Sequence, residues 1–255
     1  MTLKMPFRWL AVILAALATA PAQAGDSVIL TADHWCPHTC DPQSGHAGYM
    51  IDIAREALAL AGLKTIYQLR PWATGLNEVR SGLADGIVGI LPTEAPDLPR
   101  NHLALGRQAN AIAVRADDTF SLDGLGSLAG RQIATVKDYS YSAAIDSWLL
   151  DHAPQVSAQS GDHAAEGNLD RLLNQSVDTV LDDEAVLRET IIRTAKSTKV
   201  RIAGHLSGGS LHIAFSPARQ RGKALADILD DGIARLRQTG RLAEILASYG
   251  LADWE

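Results

Sequence analysis

The chain has only two cysteines, Cys36 and Cys40, and both lie in the stretch Trp35-Cys-Pro-His-Thr-Cys40. In an oxidising compartment a close, even pair reads as a disulfide, one that closes a small ring and stiffens its loop. The alternative is a metal site using Cys36, His38, Cys40 and either His34 or His46. Cys-x-His-x-Cys is not a usual zinc spacing, however, and it leaves the fourth ligand unassigned. Trp35 in this loop and Trp72 further on each offer a flat aromatic face for an apolar stem or a cation, with ordinary packing as the competing reading. Asp182-Asp183-Glu184 brings carboxylates to the end of an apolar run. There Asp183 can either give a charge-assisted hydrogen bond to a cationic ligand or cap the next helix, and Asp182 is an equal candidate for the cap. Asp138-Tyr139-Ser140-Tyr141 precedes another helical stretch. Free N–H groups at that helix start, with Ser140 or Ser142 as cap, make a seat for an anion. Lys137 adds to that seat and Asp138 opposes it.

The elements that must position these residues alternate in type. Val28 to Ala32, Lys64 to Leu69, Gly86 to Leu91, Gln132 to Val136, Val177 to Leu181 and Leu211 to Phe215 are short runs of strand character. Residues 50–61 carry apolar side chains at helical spacing and stop at Gly62. Further helices are expected around Leu76 and Val79, around Ile145 and Trp148, around Leu169 and Leu172, and from Asp183 to Ala195. Two more close the chain on either side of Gly240. Such alternation predicts an α/β protein with mostly parallel sheets, whose ligands sit beyond the carboxyl ends of the strands. That rule selects the loops after residues 32, 69, 91, 136 and 181.

The first 24 residues read as an export signal: Lys4 and Arg8, an apolar run from Trp9 to Ala18, then Ala22-Gln-Ala24 as a cleavage site. The run is too short to span a bilayer. A retained anchor is the competing reading. Cleavage takes the formal charge from −6 to −8 by removing two cations. That balance argues against nucleic acid and anionic membrane surfaces as partners. No Ser/His/Asp set, zinc signature or glycine-rich phosphate loop is present.

Several stretches, in order, are similar to family 3 of the bacterial extracellular solute-binding proteins, which have the type 2 periplasmic-binding-protein fold. They are Gly48-Tyr-Met-Ile-Asp52-Ile, Ser81-Gly82-Leu-Ala-Asp85-Gly, Leu128-Ala-Gly130-Arg-Gln-Ile-Ala-Thr-Val136 and Ser176-Val-Asp178-Thr-Val-Leu-Asp-Asp183. The end of the chain, from Ile228 to Gly250, resembles the family too. The resemblance implies two lobes joined by two hinge crossovers, with a ligand cleft between them. Residues 25–112 with 213–255 would form lobe 1, and residues 113–212 lobe 2. It implies ligand contacts from Trp35, Trp72, Tyr139, Ser140 and Asp183, with the last pairing with an amino group.

One departure bears on the ligand. Where family members that bind amino acids carry Thr-x-x-Arg, with the Arg holding the α-carboxylate, this chain has Thr93-Glu94-Ala95-Pro96. Proline offers neither charge nor donor. Arg70, Arg100 and Arg107 are the candidates to replace it. The expected function is therefore periplasmic capture of a small polar molecule, amino-acid-like or amine-bearing, by a monomer without cofactor, metal or catalysis. Its partner would be the permease of an ABC transporter or a sensor protein. Two alternatives are a dehydratase-like enzyme on the same fold, using Asp183 and Glu184, and a metal carrier using the Cys36/His38/Cys40 loop.

Overall fold

The computed structural model describes residues 27–218 and 220–254, so the expected export signal lies outside the described residues. Lobe 1 is built on a five-stranded sheet ordered β2-β1-β3-β10-β4, and lobe 2 on one ordered β7-β6-β8-β5-β9. The strands of lobe 1 are β1 (Ser27–Ala32), β2 (Lys64–Leu69), β3 (Gly86–Ile90), β4 (Gly106–Arg107) and β10 (Ser210–Phe215). Those of lobe 2 are β5 (Asn110–Arg115), β6 (Ile133–Val136), β7 (Val156–Gln159), β8 (Thr179–Asp183) and β9 (Val200–His205). In each sheet a parallel trio is joined by an antiparallel strand: β10 beside β3, and β5 beside β8.

Helices α1 (Tyr49–Ala59), α2 (Trp72–Ser81), α6 (Gly222–Gln238) and α7 (Arg241–Ser248) cover the first sheet. Helices α3 (Ala143–Asp151), α4 (Ala164–Leu173) and α5 (Glu184–Arg193) cover the second. The largest core packs Leu30, Met50, Ile53, Leu58, Ile213 and Leu229 between the first sheet and α1, α6 and α7. The sheet of lobe 2 buries a separate cluster on either face, one around Val180 and Leu187, the other around Ile133 and Leu181. A strand covered on both faces explains why the run at 86–91 reads as continuously apolar. No described helix is long and apolar enough to cross a membrane.

Two of the family-like motifs prove to be the same clamp, used once per lobe. Asp85, just before β3, accepts from the Ile29 N–H of β1 at 2.8 Å and pairs with Arg221. Asp178, just before β8, accepts from the Gln132 N–H, which leads into β6, at 2.9 Å. A carboxylate that takes a backbone N–H across a strand pair fixes the register of the parallel strands.

Strand β8 runs two residues further than its apolar stretch, because Asp182 and Asp183 keep ladder partners in Ala111 and Asn110. The chain also changes sheet a few residues earlier than the boundaries at 112/113 and 212/213. Those positions fall inside β5 and β10, whose apolar residues extend a continuous ladder, and the switches lie between Arg107 and Asn110 and between His205 and Ser210. The two crossing segments touch. Gln108 N–H donates to Gly209 O at 2.8 Å and Leu206 N–H to Asn110 O at 2.7 Å. A Cβ on Gly208 would sit 1.8 Å from Gln108 O, so this contact requires glycine.

Candidate functional site

The loops beyond the carboxyl ends of β1, β2, β3 and β6 converge on a hollow of about 350 Å³ of atom-free space. Lobe 1 contributes Asp33 and Trp35 after β1, Trp72 at the start of α2, Gly89 and Leu91 at the end of β3, and Glu94. Gln108 comes from the first crossing, and lobe 2 supplies Tyr139 and Ser140. Four of the five residues expected to contact a ligand therefore share one hollow between the lobes.

Trp35 is held rigidly. The loop that carries it is closed by a Cys36–Cys40 disulfide and by Trp35 N–H to Thr39 O at 2.7 Å. Its ring stacks on His38 at 4.1 Å and meets Tyr139 edge-on at 6.0 Å. Only 7% of Trp35 is exposed, so it acts both as core and as cleft wall. Since the cysteines are bridged, neither offers the thiolate that the metal alternative needs. Among the described residues no group of three or more His, Cys, Asp or Glu is arranged to hold a metal ion.

Tyr139 crosses the cleft and donates from its hydroxyl to Asp33 of lobe 1. Beside it Ser140 Oγ donates to Asp146 at 2.6 Å, and Tyr141 N–H donates to the same carboxylate at 2.9 Å. Ser142 is the cap of α3, accepting from Ile145 N–H at 3.4 Å. The expected anion seat ahead of α3 is thus filled by the helix's own Asp146. Lys137 lies off the main hollow, in an adjoining one that it shares with Asp33, Trp72, Asp138 and Asp162.

The fifth expected residue lies elsewhere. Asp183 is 1% exposed and caps α5, with Oδ1 accepting from Ala185 and Val186 N–H at 2.8 and 3.3 Å. The same oxygen meets His38 Nε2 at 2.9 Å, and Oδ2 accepts from Ala109 N–H in the crossing at 2.8 Å. His38 Nδ1 lies 2.6 Å from the Tyr49 hydroxyl. A neutral imidazole protonated on Nε2 satisfies both contacts. Asp183 thus ties α5, one crossing and the Cys loop together, and it lines a separate hollow that shares no residue with the first. Glu184, its neighbour, pairs with Arg188 at 2.6 Å and with His205 at 3.1 Å. The two carboxylates of the enzyme alternative are therefore engaged in different structural contacts.

Asp33, Glu94 and Gln108 line the hollow without having been expected there, and Asp182 stands next to it. Burial pushes the Asp33 carboxyl up to about 6, against the lowering effect of the Tyr139 hydroxyl. Burial likewise pushes Glu94 up to about 7, and Asp33 and Asp146 add repulsion. Asp182 is pushed up to about 7 by burial, with Asp183 and Asp33 as further repulsive neighbours. Of these residues, Glu94 lies in the segment ending in Pro96, and Asp182 is the alternative cap of the following helix that the sequence offers. The signal for Asp33 was its position directly after β1, in a loop already marked as facing a ligand. None of the three arginines proposed to replace the missing one lines the hollow. Arg70 is tied to Glu78 and Gln68, and Arg107 lines the separate hollow beside Asp183.

The fold has many relatives of known structure. A histidine kinase sensor domain with similarity to periplasmic binding proteins superimposes with a TM-score of 0.74 at 20% identity, covering 90% of this chain and 99% of that one. The arginine-, lysine-, histidine-binding protein ArtJ from Geobacillus stearothermophilus gives 0.73 at 17% identity, covering 90% and 97%. The VFT2 domain of Bordetella pertussis BvgS gives 0.68 at 20%, covering 88% and 93%. No curated protein matches the chain. Residues 28–252 match the bacterial extracellular solute-binding proteins, family 3. With that match running through both lobes and the crossings between them, the chain belongs to family 3 of the bacterial extracellular solute-binding proteins, a family of binding proteins that work outside the cytoplasm.

Proposed function

We propose that this protein captures a small polar solute in the cleft between its lobes and passes it to the permease of an ABC-type uptake system in the periplasm. The observation that carries this reading is the hollow walled by Trp35 and Trp72 from one lobe and by Tyr139 and Ser140 from the other. A site assembled from both lobes exists in full only when the lobes are together, so occupancy and closure are coupled. The bond from Tyr139 to Asp33 and that from Gln108 Nε2 to Ser140 O at 3.0 Å are the interlobe contacts beside the hollow that report closure. Trp35 and Trp72 supply the rigid contact area, and the polar groups orient the solute.

Binding without chemistry is the simplest account of these residues, because no Ser–His or Cys–His pair lines the hollow. Fold relatives include both an amino-acid-binding protein and a sensor domain, so delivery to a sensor kinase is the second reading.

A thermal-shift screen of amino acids, amines, opines and small organic acids tests the proposal. A ligand at a hundredfold excess over Kd stabilises the folded state by about 2.7 kcal/mol, and mass spectrometry should recover it unchanged. A screen with no stabilising solute contradicts the binding role, and a reaction product contradicts the absence of catalysis.

A further inference from the structure

The hydrogen-bond inventory of the hollow is lopsided. Three of its donors are already committed to acceptors of the protein: the Tyr139 hydroxyl to Asp33, the Ser140 hydroxyl to Asp146, and one Gln108 amide N–H to Ser140 O. The Trp35 indole N–H, buried and without a partner of hydrogen-bond geometry, approaches Asp182 and lowers its pKa.

Acceptors are in surplus. Gln108 is 4% exposed, and its Oε1 has no partner. Glu94 uses one oxygen for Leu91 N–H at 2.7 Å, and among the described residues its other oxygen receives no hydrogen bond. Asp182, 1% exposed, has an unpartnered Oδ2. Charge follows the same pattern, since Asp33 and Glu94 line the hollow and no lysine or arginine does. Lys137 lines an adjoining hollow, together with Asp33, Asp138 and Asp162. On the far side of Trp35 and Tyr139, where Asp182 lies, His34, His163 and Arg193 are offset by Asp162, Glu166 and Glu189.

A buried acceptor without a donor costs free energy that a ligand N–H recovers, and aromatic faces add attraction for a cation. A ligand carboxylate would meet two carboxyl groups and no lysine or arginine.

Resting on the reading that this hollow is the binding site, we infer that its ligand is an organic cation rich in N–H donors, a primary amine or guanidine, that carries no carboxylate. The headgroup would sit among Asp33, Glu94 and Gln108 Oε1, and its stem would lie against Trp35 and Trp72. The raised carboxyls agree with this arrangement, because a bound cation supplies the countercharge that the empty hollow lacks.

Matched pairs that differ only by a carboxylate provide the test: agmatine against arginine, and cadaverine against lysine, titrated calorimetrically at pH 8. The expected result is at least tenfold tighter binding of a decarboxylated member than of its amino acid. Glu94→Gln should weaken that binding at least tenfold, with Asp33→Asn as the second variant. Equal or tighter binding of arginine or lysine overturns the inference and leaves the cleft reading standing. The same follows if only neutral or anionic solutes bind, or if both variants bind the amine as the parent does. Absence of any stabilising solute in the wider screen overturns the cleft reading itself.

Discussion

Asp182 and Asp183 are adjacent, equally buried and of one chemical type, yet their surroundings differ sharply. Asp183 accepts three backbone N–H groups and contacts His38. Asp182 accepts one N–H through Oδ1, from Asp183 itself at 2.8 Å, and its second oxygen has no partner. The difference follows from strand geometry. Both residues belong to β8, where successive side chains point to opposite faces. One face meets the crossings, the N-terminus of α5 and the Cys loop, all rich in donors. The other meets Trp35 and the neighbouring hollow, where His34, His163 and Arg193 stand beside Asp162, Glu166 and Glu189. A carboxylate with both oxygens engaged is a structural joint. The carboxyls of the hollow, held above their usual range by burial, lack such a set of donors.

The contrast is open to attack by mutation, and the largest effect should come from the satisfied member. Asp183→Ala removes a helix cap, a hinge anchor and the partner of buried His38. A loss of about 3–5 kcal/mol in denaturant-derived stability is expected, and a loss under 1 kcal/mol would show that these bonds hold little together. Replacing Cys36 and Cys40 by serine should cost less, about 2 kcal/mol by loop-closure entropy for so short a ring, measured by the same unfolding curves with and without reductant.

Smaller again is Asp182→Asn, which keeps Oδ1 as acceptor and removes an unbalanced charge. At pH 8 it should leave stability within about 1 kcal/mol of the parent or raise it. Its sharper signature is in pH dependence. Carboxyls raised from 3.8 to about 6 and about 7, and from 4.5 to about 7, favour the folded state at low pH. That contribution is lost as pH rises through the raised values, so the ligand-free protein should lose stability between roughly pH 4 and 7 from these groups. The variant should show a smaller loss over that interval in denaturation at pH 5 and pH 8. An unaltered profile would mean that Asp182 does not titrate there.

Much of this arrangement was legible in the sequence, and the failures have physical causes. The central strands β1, β3, β6 and β10 announced themselves as apolar runs because both their faces are covered. Strands β7 and β9 did not. They are the two edges of the second sheet, and Val-Ser-Ala-Gln and Val-Arg-Ile-Ala-Gly-His carry the polar residues that edges tolerate. The cleft aromatics Trp35, Trp72 and Tyr139 were found because they follow strand ends.

Asp183 was assigned to the ligand and Asp182 weighed only as a cap because the apolar run stops at Leu181, while the strand continues to Asp183. Apolar periodicity cannot show where polar residues extend a ladder. Gln108 was invisible for a different reason: its significance lies in an unpartnered oxygen, which exists only once the crossing is folded against Ser140.

The most direct test compares the two kinds of carboxylate in one experiment. The solute giving the largest thermal shift is titrated into Asp33→Asn and Asp183→Asn by calorimetry at 15 °C, where a destabilised variant stays folded. Asp33→Asn should lose at least tenfold in affinity with little change in melting temperature. Asp183→Asn should melt lower and keep its affinity within about fivefold. Folded Asp183→Asn without affinity, beside Asp33→Asn with full affinity, would place the binding site at the joint and contradict the account.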